Sequence, residues 1–128
     1  MSAPRPLVCY DARCRLCRFA AHVLVASDGT RALGVAPADS GRAALLLARL
    51  EPAERAASLH VVAPDGSIAS AQDALVAIAG ALRGTRALGR ALARSARARR
   101  VLAGGYRLVA CHRGRLSRLV PERSPVSV

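Results

Sequence analysis

The stretch Leu7-Val8-Cys9-Tyr10-Asp11-Ala12-Arg13-Cys14-Arg15-Leu16-Cys17 sets a short apolar run directly before a helical pattern that opens on two cysteines. A strand, a tight turn and a helix in that order put Cys14 beside the first unpaired backbone N–H groups and the positive end of the helix dipole, where a thiolate is favoured. Cys17, one turn on, can reach the first sulfur and close a small disulfide ring, so Cys14 reads as the attacking thiol and Cys17 as the resolving one. Arg13, Arg15 and Arg18 favour the Cys14 thiolate where they face it. Asp11 opposes it if its carboxylate lies close, accepts N–H bonds in the turn, or relays a proton. Half a zinc site and a pair of structural thiols share the C-x-x-C spacing; the strand before and the helix after favour redox chemistry.

Outward from this stretch the chain alternates. Leu7 to Tyr10 predicts a buried strand, and Cys14 to about Ala26 a helix with Leu16, Phe19, Ala20, Val23 and Leu24 on its inner face, ended by Ser27-Asp28-Gly29. A second strand is expected around Ala32 to Ala36. A helix through Ala43 to Leu50 follows, capped by Asp39 or Ser40, with Pro52 just past its end as a terminator. Leu59 to Ala63 and Ser67 to Ala69 flank the turn residues Pro64-Asp65-Gly66, a hairpin pattern. Ser70 with Asp73 resembles a capping box for a helix through Leu82, stopped by Gly84. From Thr85 the chain is helical and amphipathic, with Leu88, Leu92, Val101, Leu102, Leu108 and Val109 expected inward and Gly104-Gly105 expected to divide it in two. Strand, helix, strand, helix, hairpin, helix is the order of a thioredoxin-like α/β fold. The expectation is one domain over 1–128: a core of about residues 7–84, built on a central mixed sheet of about four strands with flanking helices, and a helical C-terminal extension over about 85–121.

The segment Val8 to Cys17 also resembles the opening of the DCC family of predicted thiol-disulfide oxidoreductases, small bacterial proteins named for an Asp-x-x-Cys-x-x-Cys motif; Asp11, Cys14 and Cys17 match it. Ser70-Ala71-Gln72-Asp73-Ala74-Leu75 resembles the family's small-residue and acidic segment, and Tyr106 with Arg113 its Tyr-and-Arg C-terminal segment. The likeness runs from about Leu7 to Pro121. It implies disulfide exchange through Cys14 and Cys17 with Asp11 as a turn-forming or proton-handling neighbour, on a protein or small-molecule disulfide or dithiol. Two departures stand out. Ala12 takes the place of the family's usual Gly, which requires a turn open to a residue with a Cβ. The residues before Leu59 are Ala56-Ala57-Ser58, where thioredoxin-like enzymes commonly carry a cis-proline. Tyr106 and Arg113 are expected to brace the tail rather than to line the site.

With 128 residues, 52% of them hydrophobic, the chain can bury a core without disulfides or metal. Aromatics are scarce, so that core is Leu, Val, Ile and Ala. No apolar run approaches the ~20 residues of a bilayer span: Ala43 to Leu50 carries Arg49, and Ala56 to Leu82 contains Pro64, Asp65, Gly66 and Asp73. Met1 to Pro6 lacks the apolar centre of a secretion signal, which points to the cytoplasm, where a C-x-x-C is more often catalytic or metal-binding than structural. The net charge of +12 comes wholly from arginine, with no lysine. The Arg94 to Arg100 cluster attracts anionic surfaces, but with so few aromatics to stack on bases a solvated basic face outweighs a dedicated nucleic-acid site. A redox-inert module docking an acidic partner or nucleic acid through this face is the rival reading.

Cys9 reads as core, and Cys111 as core, a regulatory thiol or a second disulfide partner. Adjacent Cys111-His112 make a poor second half for a zinc site. His22, eight residues past Cys14 and about 80° round the helix, is a poor base for that thiol. His60 and His112 read as surface or interfacial histidines. A dithiol is itself the redox group, so no cofactor is called for, and no feature sets an oligomeric state.

Overall fold

A computed structural model describes residues 5–29 and 31–125. Among them are four strands, β1 (Leu7–Tyr10), β2 (Gly34–Pro37), β3 (His60–Val62) and β4 (Ile68–Ser70), and seven helices: α1 (Arg15–Ser27), α2 (Gly41–Leu46), α3 (Pro52–Ala57), α4 (Gln72–Ala81), α5 (Arg86–Arg94), α6 (Ala96–Cys111) and α7 (Arg113–Ser117). The sheet order is β2-β1-β3-β4. β1 runs parallel to β2, with Leu7 opposite Gly34, and antiparallel to β3, with Leu7 opposite Val62. β3 and β4 form the expected hairpin, His60 opposite Ser70, around a turn in which Gly66 takes φ +90°. This mixed open sheet with its helices is the thioredoxin-like α/β architecture.

Both faces of the sheet are covered, which is why β1 reads as a continuous apolar run rather than an alternating one. Val8, Tyr10, Val35 and Val61 pack on one face with Ala21 of α1 and Ala74 and Ile78 of α4. Cys9 and Val62 pack on the other with Ala38, Ala43 and Leu47 around α2. Cys9 is a core residue, as expected. α5 lies against α4 at a point where Gly89 meets Gly80 so closely that a Cβ on Gly89 would fall 2.4 Å from the Gly80 nitrogen.

Several local expectations are corrected. α1 buries Ala21, with Leu24 and Val25 packed on the same cluster, while Ala20 and Val23 face solvent; nearly every position from Leu16 to Val25 is apolar or small, so periodicity does not single out a face. Ser40, not Asp39, stands at the α2 N-cap. The helix there is short, and Pro52 starts α3 instead of merely stopping α2, its fixed φ and missing N–H suiting the first helical turn. Glu51 and Glu54 supply the capping box of α3. The box expected of Ser70 and Asp73 is absent: Ser70 stays in β4, its Oγ 2.6 Å from Nδ1 of His60, and Ala71 enters α4 at φ 55° and ψ −126°. His60 is interior, 2% exposed, its Nε2 3.0 Å from the Glu54 carbonyl. Gly104-Gly105 does not divide the tail. α6 runs through both glycines, and the break falls at Ser95, whose Oγ accepts the Ala98 N–H at 3.1 Å. Leu88, Val101, Leu108 and Val109, expected inward, are exposed at 56, 73, 62 and 47%.

Candidate active site

The dithiol lies where β1 hands over to α1. The Asp11 carbonyl accepts the Cys14 N–H at 3.2 Å, and its Oδ1 accepts the Arg13 N–H at 3.0 Å, so Asp11 ties the turn twice. Ala12 sits in this turn without positive φ, which removes the need for glycine. Cys14 is the N-cap of α1, at φ −99° and ψ 118°. Its Sγ accepts the Cys17 N–H at 3.3 Å, the role an N-cap oxygen usually plays. Both thiols are free and half-buried.

The two sulfurs have different surroundings. Burial pushes the Cys17 thiol up to about 12, and a side-chain hydrogen bond with Cys14 and the charge of that neighbour push the same way; Arg113 pulls against them. Cys17 therefore holds its proton at neutral pH. Arg113 Nη1 stands 3.7 Å from Cys17 Sγ and 3.7 Å from Asp11 Oδ2, so one guanidinium faces both the thiol and the carboxylate of the motif.

Arg113 belongs to the tail, and the rest of the tail holds α1 from the same side. Ser117 Oγ accepts the Leu16 N–H at 3.2 Å, and Glu122 bonds Arg18 at 2.8 and 3.0 Å and faces Arg15 at 3.7 Å. Arg18 also donates to the Ala12 carbonyl. Arg15 and Arg18 are thus engaged by Glu122, Arg13 is exposed, and the guanidinium at the dithiol is Arg113. Of the two residues expected to brace the tail, Arg113 faces the dithiol, while the Tyr106 hydroxyl accepts the Leu59 N–H at 2.9 Å at the entrance to β3. Arg113 was visible in the sequence only through the family likeness, Ser117 and Glu122 through no signal at all, because all three act through a docking of α7 that local pattern does not encode.

Beside the turn lies a cavity of about 280 Å³, lined by Tyr10, Asp11, Arg13, Asp39, Pro52 and Arg55 among others. No group of three or more His, Cys, Asp or Glu residues placed to hold a metal occurs among the described residues. Cys111 and His112 are exposed on the tail, the His112 ring bonded to the Leu108 carbonyl. Among the same residues no helix is long and apolar enough to cross a membrane.

Comparison with curated proteins and with solved structures finds no match. A family model, DCC1-like thiol-disulfide oxidoreductase, matches residues 8–119, which takes in the dithiol, all of the sheet but Leu7, and the tail through Arg113 and Ser117. With most of its length under that match, the chain belongs to the DCC1-like thiol-disulfide oxidoreductase family.

Proposed function

We propose that this protein exchanges disulfides through Cys14 as nucleophile and Cys17 as resolving thiol. The observation that carries the reading is the asymmetry of the pair: Cys14 sulfur sits at the helix N-cap accepting a backbone N–H, whereas Cys17 is held as a thiol against a guanidinium. The Cys14 thiolate attacks a substrate disulfide; a Cys14–substrate bond forms, the substrate S–S bond breaks, and the departing thiolate takes a proton from water. Cys17 then attacks the Cys14 sulfur, and the proton it gives up passes through solvent to the second substrate sulfur as that leaves. The Cys14–Cys17 ring closes and the second substrate sulfur leaves. Two electrons and two protons pass from the dithiol to the substrate, and the reverse sequence oxidises a dithiol. Arg113 supports the Cys17 thiolate as it forms. Asp11 shapes the turn and holds Arg113. The cavity beside Asp11, with carboxylates and guanidiniums in its wall, is where the substrate's flanking groups rest. We place this work in a reducing compartment, the cytoplasm, which keeps the pair as a dithiol.

Titration of the reduced and oxidised protein in glutathione buffers of defined potential, read by mass after alkylation, tests the proposal. A reversible two-electron transition that vanishes in Cys14→Ser is expected. A pair that never closes across the range overturns it.

A further inference from the structure

α6 turns an apolar strip toward solvent. At 100° per residue, Tyr106, which reaches inward to Leu59, lies roughly 140° from Val101. Val101, Gly104, Leu108 and Cys111 follow one another at three- and four-residue spacing on the outer side, all exposed, Val101 at 73% and Leu108 at 62%. Arg97 continues this line toward the N-terminus, and Arg100 and Arg107 run along its flank, exposed as well. Between Asp73 and Glu122 the chain has no acidic residue, so nothing in this half of the sequence neutralises those arginines.

We propose that the outer face of α6 docks on an anionic lipid bilayer surface. Apolar side chains along one line of a helix with guanidiniums beside them are the pattern of a helix lying in the plane of a membrane interface, the arginine stems lying on the acyl boundary and their heads among the phosphates. A second copy of the chain fits badly, because it brings the same arginines and a net charge of +12 to the same place. A folded protein partner fits less well than a bilayer. The face is convex, and a 16-residue helix is about 24 Å long, so a strip about 10 Å wide offers far less than the ~800 Å² per partner of a stable interface. A lipid surface demands no matching shape, and the attraction of guanidiniums to its phosphates adds to the apolar area buried. Docking this way leaves the side of α6 that carries Tyr106, and the dithiol beyond it, turned away from the bilayer.

The inference makes no use of the dithiol chemistry, so its success or failure is read separately from that of the proposed exchange. The full reduced chain is mixed with vesicles of phosphatidylglycerol and phosphatidylcholine or of phosphatidylcholine alone, and binding is read by sedimentation and by the alkylation rate of each cysteine, resolved by peptide mass. Binding only to the anionic vesicles is expected, with Cys111 alkylation slowed about fivefold or more and Cys14 alkylation little changed. The paired substitutions Val101→Ser with Leu108→Ser, and Arg100→Gln with Arg107→Gln, all at exposed positions, are each expected to weaken binding about tenfold. Binding that survives the serine pair undiminished would be diffuse adsorption of a cationic protein and overturns the proposal. So does an unprotected Cys111 on anionic vesicles, and so does equal protection of Cys111 by soluble polyglutamate, which would assign the face to an acidic polypeptide.

Discussion

Arg113 reaches Cys17 from 96 residues away and spans the thiol and the carboxylate of the motif. If it supports the Cys17 thiolate as that forms, Arg113→Met should slow closure of the Cys14–Cys17 ring about fivefold while the first attack by Cys14 changes much less. Rapid acid quenching of the mixed disulfide, with masses read over time, separates the two steps; an unchanged ring-closure rate would remove Arg113 from the mechanism. At this scale the sequence showed the pair itself, since a strand, a turn and two cysteines one helical turn apart are local facts. The guanidinium at Cys17 is not a local fact: Arg13, Arg15 and Arg18 favour the Cys14 thiolate only where they face it, Glu122 engages Arg15 and Arg18, and Arg113 arrives from the tail. Proximity along the chain was a poor guide to proximity in space for side chains this long.

Two helices carry testable weak points. Ala71 opens α4 at φ 55°, a left-handed value that a side chain with a Cβ resists. Ala71→Gly should therefore raise stability by about 1 kcal/mol, the relief outweighing the extra freedom of the unfolded chain. Urea unfolding checks this, and a loss of stability would show that Ala71 is not strained. Gly89→Ala should act in the other direction. Its Cβ would fall 2.6 Å from the Gly80 Cα, backbone that cannot yield without parting α4 from α5, and a loss of about 2 kcal/mol is expected by the same measurement. The strands were legible at this scale because runs such as His-Val-Val and Leu-Val-Cys-Tyr sit between clear turn residues. Helix faces were less so. α6 carries apolar residues on both its inner and its outer side, and periodicity alone assigned the outer set to the core.

For the molecule as a whole, buried thiols set an alkaline limit. Burial pushes Cys9 up to about 11 and Cys17 up to about 12 from an ordinary 9.0, while the unfolded chain ionises at the ordinary value. Above pH 9 the unfolded state binds fewer protons than the native one, so stability is full below that pH and is lost as pH rises through the folded values. Fully buried Cys9 alone accounts for about 2–3 kcal/mol of that loss by pH 11. Tyr10 and Tyr106, also raised by burial, add to it above pH 10. Melting temperatures measured from pH 8 to 11 should fall more steeply for the wild type than for Cys9→Ala; parallel curves would contradict the assignment. The α/β order was legible at this level because it follows from the sequence of elements. The closing of the tail over α1 was not, since it rests on single contacts between residues about a hundred positions apart.

That closing also has a consequence in time. Cys14 and Cys17 leave the ribosome before the tail that completes their site: Arg113 follows Cys17 by 96 residues and Glu122 follows Arg18 by 104. At about 5–20 residues per second the nascent dithiol spends roughly 5–20 s without its guanidinium and without the contacts that hold α1. The site is thus finished by almost the last part of the described chain to be made, and a ribosome-bound intermediate carries the cysteines of the motif without the environment that distinguishes one sulfur from the other.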